Sequence, residues 1–316
     1  MRILVTGFPR SGTTFVGRAI ASTPGVHYVH EPFNEEWPAV GTSFRVHPFW
    51  RPDEDCEKDM GHLDRLDSVF GFRPSVPTFS RGDWSRPRFA LKRAVRSMVP
   101  PLGPLYKKHL VFKDPLAICA ADILAKRYRM RTIVMFRDPL GVVASIRRYG
   151  WRINPDHITH QPQLRREVGE DMVDTMEAIA AGDSETREAE LIAQTWLISS
   201  KLLENRLSPG NDVIYIRHAD LIRDPDHVIE KVVDWLALDE GHRARKRFLD
   251  RHCRGTSTSA LGSIRRPTDL NRMGSSDFGC YSDDLNDREI ESVRSITSSA
   301  FRAMTDRIET LSEPGL

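Results

Sequence analysis

The sequence predicts an α/β fold, with a central parallel sheet of about five strands flanked by helices. Three observations predict it. Five short apolar runs, most of them rich in β-branched residues, are each followed by turn or polar residues. Segments with apolar residues at helical spacing separate most of these runs. The first run passes through a glycine-containing turn directly into a helical pattern. Strands alternating with helices imply a parallel sheet covered on both faces. Ligands of such sheets sit at the carboxyl ends of the strands, so chemistry is sought just after each strand.

The predicted strands cover residues 3–6, 26–29, 110–112, 132–136 and 213–216. Helical patterns cover residues 14–22, 139–149, 185–205, 225–236 and 287–308, with Pro139 suited to a first helical turn. The 316 residues read as one domain. Between about residues 38 and 104 the periodicity breaks down. This insert carries Phe44, Phe49, Trp50, Phe70, Phe72, Phe79, Trp84 and Phe89 among prolines and arginines. It reads either as a lid that binds an acceptor or as a structural insertion with a small aromatic core of its own.

Composition narrows the function. At 40% hydrophobic and 28% charged the chain is globular in type. Forty-six basic residues against 44 acidic ones leave a formal charge of +2, too balanced for a general nucleic-acid binder. Any anion must be held by local placement of charge. Cys56, Cys119, Cys253 and Cys280 are far apart and form no CxxC pair, so they read as reduced, mostly buried thiols and not as a disulfide or zinc set. No apolar run approaches the ~18 residues that span a bilayer. The first strand begins at Ile3 and leaves no room for a signal peptide, so with Met1 as the start a cytoplasmic location is expected.

The first strand runs into Gly7-Phe8-Pro9-Arg10-Ser11-Gly12-Thr13-Thr14 and then a helix. A strand, a turn with two glycines and a helix N-terminus make an anion cradle, because backbone N–H groups and the helix dipole both favour negative charge there. The spacing of Gly7 and Gly12 matches the P-loop pattern GxxxxGK[ST], and Thr14 fills the hydroxyl position. The lysine position holds Thr13 instead, and the cation has moved to Arg10. A nucleoside triphosphate enzyme uses that lysine on its terminal phosphates, so the loop suits a different phosphate ligand. The fold is therefore expected to be of the P-loop nucleotide-binding kind.

The octapeptide from Gly7 to Thr14 resembles the 5′-phosphosulfate loop of sulfotransferases that use PAPS (3′-phosphoadenosine 5′-phosphosulfate), and residues 9–34 are similar to the opening of the Golgi carbohydrate and tyrosylprotein families. Three further blocks agree. Arg137-Asp138-Pro139, with Ser145 eight residues after the arginine, resembles the 3′-phosphate motif. Lys113-Asp114-Pro115 resembles a segment at the end of a middle strand, and Arg217-His218-Ala219-Asp220-Leu221 resembles an RYEDL run. Together the blocks frame residues 3–225. The resemblance implies sulfuryl transfer from PAPS, with PAP as product and no metal, to a hydroxyl of a carbohydrate, glycolipid or other small molecule. Two other readings of the loop stand beside it: a P-loop kinase of small molecules, and a non-catalytic PAP-binding protein.

Roles follow residue by residue. Pro9, Arg10, Ser11, Gly12, Thr13 and Thr14 are expected to bind the 5′-phosphosulfate, Arg137 and Ser145 the 3′-phosphate, with Arg217 at a further basic strand end. Sulfuryl transfer resembles phosphoryl transfer, so cations must neutralise the leaving phosphate, and Arg10 and Lys113 are the candidates. Glu31 follows the second strand, 21 residues after Arg10, and is expected next to the loop. The resemblance gives Glu31 the role of base. His30 is its rival, with an ordinary pKa near 6.5, and strand alternation is expected to send the two side chains to opposite faces. A late loop at residues 257–267 is rich in hydroxyls and arginines and lacks the family's glycine-lysine pattern. It reads either as a loop that closes over the 3′-phosphate through Ser263 or Arg265, as the resemblance implies, or as an exposed polar loop.

Overall fold

The computed structural model describes residues 1–34, 48–70, 108–238, 240–254, 281 and 284–310. Five parallel strands form one sheet in the order β2-β3-β1-β4-β5. They are β1 (Arg2–Gly7), β2 (Val26–His30), β3 (His109–Lys113), β4 (Met130–Phe136) and β5 (Val213–Arg217). Each extends its predicted strand by one or two residues at an end. Residue alternation divides the core between two faces. Ile3, Val5, Val111, Ile133 and Met135 pack with α1 (Thr13–Ala21), α10 (Pro225–Trp235) and α11 (His242–Leu249). Leu4, Phe112, Val134 and Phe136 pack on the other side with α3 (Ala121–Tyr128), α4 (Pro139–Arg148), α8 (Arg187–Arg206) and α12 (Asp287–Thr310).

The remaining described helices are α2 (Glu57–Phe70), α5 (Asp156–Thr159), α6 (Pro162–Val168), α7 (Glu170–Ala181) and α9 (His218–Arg223). The helix α2 corrects the expectation of irregular structure at residues 57–70, while residues 38–47 and 71–104 of the expected insert lie outside the described residues. Two described residues of that insert, Phe49 and Trp50, belong to the main core. Phe49 and Trp50 are 3% and 5% exposed and join the cluster around Phe8 and Phe33. Phe49 stacks on Phe8 with ring centroids 5.7 Å apart. Arg51, 4% exposed, is fastened by ion pairs to Asp122 and Glu167, the latter at 2.8 Å. Phe44, Phe72, Phe79, Trp84 and Phe89, and the late loop with Ser263 and Arg265, lie outside the described residues. Among the described cysteines Cys119 is buried, while Cys56 and Cys253 are only partly so. No described helix is long and apolar enough to cross a membrane.

The topology positions a crevice. α1 leaves β1 on one face of the sheet, and α4 leaves the neighbouring β4 on the other. The carboxyl ends of β1 and β4 therefore open apart, which is where doubly wound sheets bind ligands. One predicted neighbourhood changes. Glu31 follows β2, and β3 lies between β2 and β1. Glu31 is thus beside the end of β3 and not directly beside the loop, because strand order is set by the crossovers and not by chain order.

Candidate active site

The loop after β1 is shaped by two glycines. Gly7 has φ +139°, and a Cβ there would stand 2.3 Å from the Met135 carbonyl oxygen, so only glycine lets β1 and β4 close together at this point. Gly12, with φ +91°, begins α1 without a side-chain cap. The first amides of α1 have no intrahelical partner and open into the loop. Ser11 Oγ is fully buried and has no hydrogen-bond partner. An orphaned hydroxyl and free helix-start amides fit an anionic group bound in this cradle. Pro9 and Thr13 are buried, and Thr14 is half-buried.

Arg10, at φ +73°, turns its side chain across the crevice. Its Nε donates to Ser145 Oγ at 3.0 Å, and its guanidinium lies 3.8 Å from the centroid of the Tyr149 ring. Arg137, at the junction of β4 and α4, donates from Nη1 to the Arg10 carbonyl at 2.6 Å. Its guanidinium runs over Gly141, where a Cβ would meet Nε at 3.1 Å. Asp138 is a helix cap: its Oδ1 accepts from the Leu140 amide at 2.9 Å, ahead of Pro139 at the first helical position. Arg10 from the loop and Arg137 with Ser145 from the second motif thus form one group. Arg217, at the end of β5, is engaged by Asp220 at 2.7 and 3.0 Å.

The sequence reading missed His218. Its ring packs against Gly12, where a Cβ would stand 3.1 Å from Cδ2. Burial, then the charges of Arg137 and Arg10, depress its pKa to about 3, so this imidazole is neutral at pH 7. Its position directly after the basic end of a strand was the available signal.

A second group stands at the end of β3. The fully buried Lys113 ammonium pairs with the Glu31 carboxylate. Gly17 on α1 makes room for it, since a Cβ there would touch the Lys113 side chain at 3.2 Å. Glu31 sits at φ +43° and is fixed by its amide, which donates to the Lys113 carbonyl at 2.8 Å, and by Asn34 Nδ2, which donates to Oε2 at 2.6 Å. Burial alone would raise the Glu31 carboxyl, but the Lys113 charge, with His30 and Asn34, holds it below the ordinary range. At Lys113 burial wins and lowers the amine. The difference follows exposure, which is 0% for the Lys113 side chain and 16% for Glu31. His30 does not point to the opposite face, as alternation predicted. Its Nε2 is 3.8 Å from Glu31 Oε2, because Glu31 lies past the strand in a left-handed conformation.

The two groups are joined through β1. Thr6 Oγ1 donates to the Asp114 carbonyl at 2.9 Å, and the Asp114 amide donates to the Val5 carbonyl at 3.0 Å. The site therefore offers an anion cradle, a pair of arginines, and a carboxylate–ammonium pair on adjoining strand ends.

Comparison with known proteins follows this geometry. Among solved structures, the chain is similar to the sulfotransferase domain of the Synechococcus PCC 7002 olefin synthase, at 14% identity and a TM-score of 0.46 over 100% of this chain and 96% of that one. It is similar to the sulfotransferase STF9 from Mycobacterium avium, at 14% identity and a TM-score of 0.45 over 96% and 76%. It also resembles the sulfotransferase domain from the curacin biosynthetic pathway, at 17% identity and a TM-score of 0.41 over 94% and 96%. A search of curated proteins gave no match. The model of the sulfotransferase family matches residues 2–241, about three quarters of the sequence, and the chain belongs to that family.

Proposed function

We propose that this sulfotransferase moves a sulfuryl group from PAPS to a hydroxyl of a carbohydrate, glycolipid or other small-molecule acceptor. The observation that carries the reading is the convergence of Arg10, Arg137 and Ser145 where β1 and β4 part. A donor with two separated anionic groups needs two cationic positions, and Arg10 and Arg137 beside the anion cradle support that reading. When bound, the donor supplies an activated sulfuryl group on a phosphate leaving group. The amides and hydroxyls from Arg10 to Thr14 hold the 5′ end, with Pro9 shaping the loop against it, and Arg137 with Ser145 holds the 3′-phosphate. Arg10 addresses the 5′-phosphosulfate and shares with Lys113 the neutralising of the leaving phosphate. Glu31, ionised at neutral pH, takes the proton from the acceptor hydroxyl. Arg217, Ser263 and Arg265 stay as further donor ligands in this proposal, and no metal is required.

Arg137 tests the reading. Arg137→Ala removes a charge-assisted contact to the 3′-phosphate, which costs about 1.5–3 kcal/mol, so PAP affinity falls by roughly 10–150-fold. Adenosine 5′-phosphate lacks that phosphate. It loses only what the bond to the Arg10 carbonyl contributes, about 0.5–1.5 kcal/mol. Calorimetry with both ligands compares the two losses, and equal losses contradict the assignment.

A further inference from the structure

Asp114 has no part in the transfer just described, yet its carboxylate is built into the site. It is 1% exposed, and both of its oxygens accept from backbone amides. Oδ1 takes the Leu116 amide at 3.0 Å. Oδ2 takes the Phe33 amide at 2.6 Å, across 81 residues of chain. Phe33 lies in the turn that Glu31 opens and that the Asn34 amide closes on the Glu31 carbonyl at 3.1 Å. One dipeptide therefore grips this turn in three ways. The Lys113 carbonyl takes the Glu31 amide, the Lys113 ammonium takes the Glu31 carboxylate, and the Asp114 carboxylate takes the Phe33 amide.

We infer that Asp114 is a positioning residue: its ionised carboxylate clamps the 31–34 turn and so holds the Glu31 carboxylate against the Lys113 ammonium. The inference rests on Glu31 being the base. An ionised carboxylate accepts strongly at both oxygens, and a proton on one of them leaves that oxygen the weaker acceptor for its amide. Burial, with Glu31 adding to it, pushes the Asp114 carboxyl up to about 7, against the pull of the two amides and Lys113. The charged groups around it are Glu31 from the end of β2, Lys113 on β3 and Arg18 on α1 facing Lys113, with Tyr28 of β2 also in range. The sign follows from the raised value. The clamp is strongest above about pH 7 and weakens as pH falls through it. A carboxyl raised above its unfolded value makes the fold less stable when ionised, so its charge is not there to stabilise the protein.

The test has a structural and a kinetic arm. In protein labelled with ¹⁵N-phenylalanine, the Phe33 amide, assigned with Phe33→Leu, titrates with a midpoint near pH 7 in the wild type. In Asp114→Asn that titration is absent, and a thermal melt confirms the fold. Asp114→Asn lowers kcat by roughly 10–100-fold, as a misplaced reacting group does, with KM for PAPS unchanged. The acid limb near pH 7 disappears from its rate profile. The double variant with Glu31→Gln is no slower than Glu31→Gln alone. A Phe33 amide that does not titrate, an unchanged rate profile, or losses that multiply in the double variant overturn the inference. If Glu31→Gln is itself fully active, the base assignment fails on its own, and the Phe33 titration still decides whether the clamp exists.

Discussion

Replacing Glu31 with glutamine lowers turnover by about 10²–10⁴-fold, the usual effect of removing a general base, and leaves PAP affinity unchanged. The substitution keeps the shape of the side chain, and the amide oxygen still accepts from Lys113, so the buried ammonium keeps a partner. What is lost is the ability to take a proton. Kinetics and PAP calorimetry must be read together, because a slow variant that has also lost PAP reports only a damaged site. His30→Ala is the control. The imidazole touches Glu31 at 3.8 Å and bonds the Tyr28 hydroxyl at 3.2 Å, so its removal perturbs the base without replacing it, and most activity is retained. A dead His30→Ala beside an active Glu31→Gln moves the base to histidine.

Lys113→Met is the second large effect, and it is felt twice. Methionine fills the space under α1 without a charge. Transfer slows by about 10²–10³-fold, as when one preorganised donor to a developing negative charge is removed. The fold also weakens. Taking one partner from a buried ion pair costs about 3–5 kcal/mol. The lower end is expected here because the Glu31 side chain keeps 16% exposure and is partly solvated when left alone. Urea unfolding reads the stability term and single-turnover transfer reads the chemistry. Normal transfer in a destabilised Lys113→Met would leave the lysine a purely structural part.

The sheet was legible because core parallel strands read as short continuous apolar runs, and all five runs became strands. Helices with a broad apolar stripe, such as α8 and α12, were equally clear. α11 was not, because His242-Arg243-Ala244-Arg245-Lys246-Arg247 gives no apolar period before Phe248 and Leu249. α2 escaped notice within a stretch dominated by prolines, glycines and arginines. At the site, the residue types at each strand end were readable, but their neighbours were not. That β3 separates β2 from β1 is a property of the crossovers. The left-handed conformation of Glu31 also defeats the alternation rule that was meant to part it from His30. His218 and Asp114 stood inside recognised blocks. Their significance lies in contacts with Gly12 and Phe33, more than 80 residues away in each case, and no local pattern shows that.

The crevice at β1 and β4 is proposed to take a nucleotide carrying both a 5′- and a 3′-phosphate, without a metal. Calorimetry with PAP in the presence of EDTA tests it most directly, with magnesium–ATP as the comparison. PAP is expected to bind in EDTA, Arg137→Ala to weaken it, and magnesium–ATP not to compete. Binding of PAP that vanishes on chelation would contradict the metal-free site. Tight magnesium–ATP binding with none for PAP would contradict the donor altogether and return the loop to kinase chemistry.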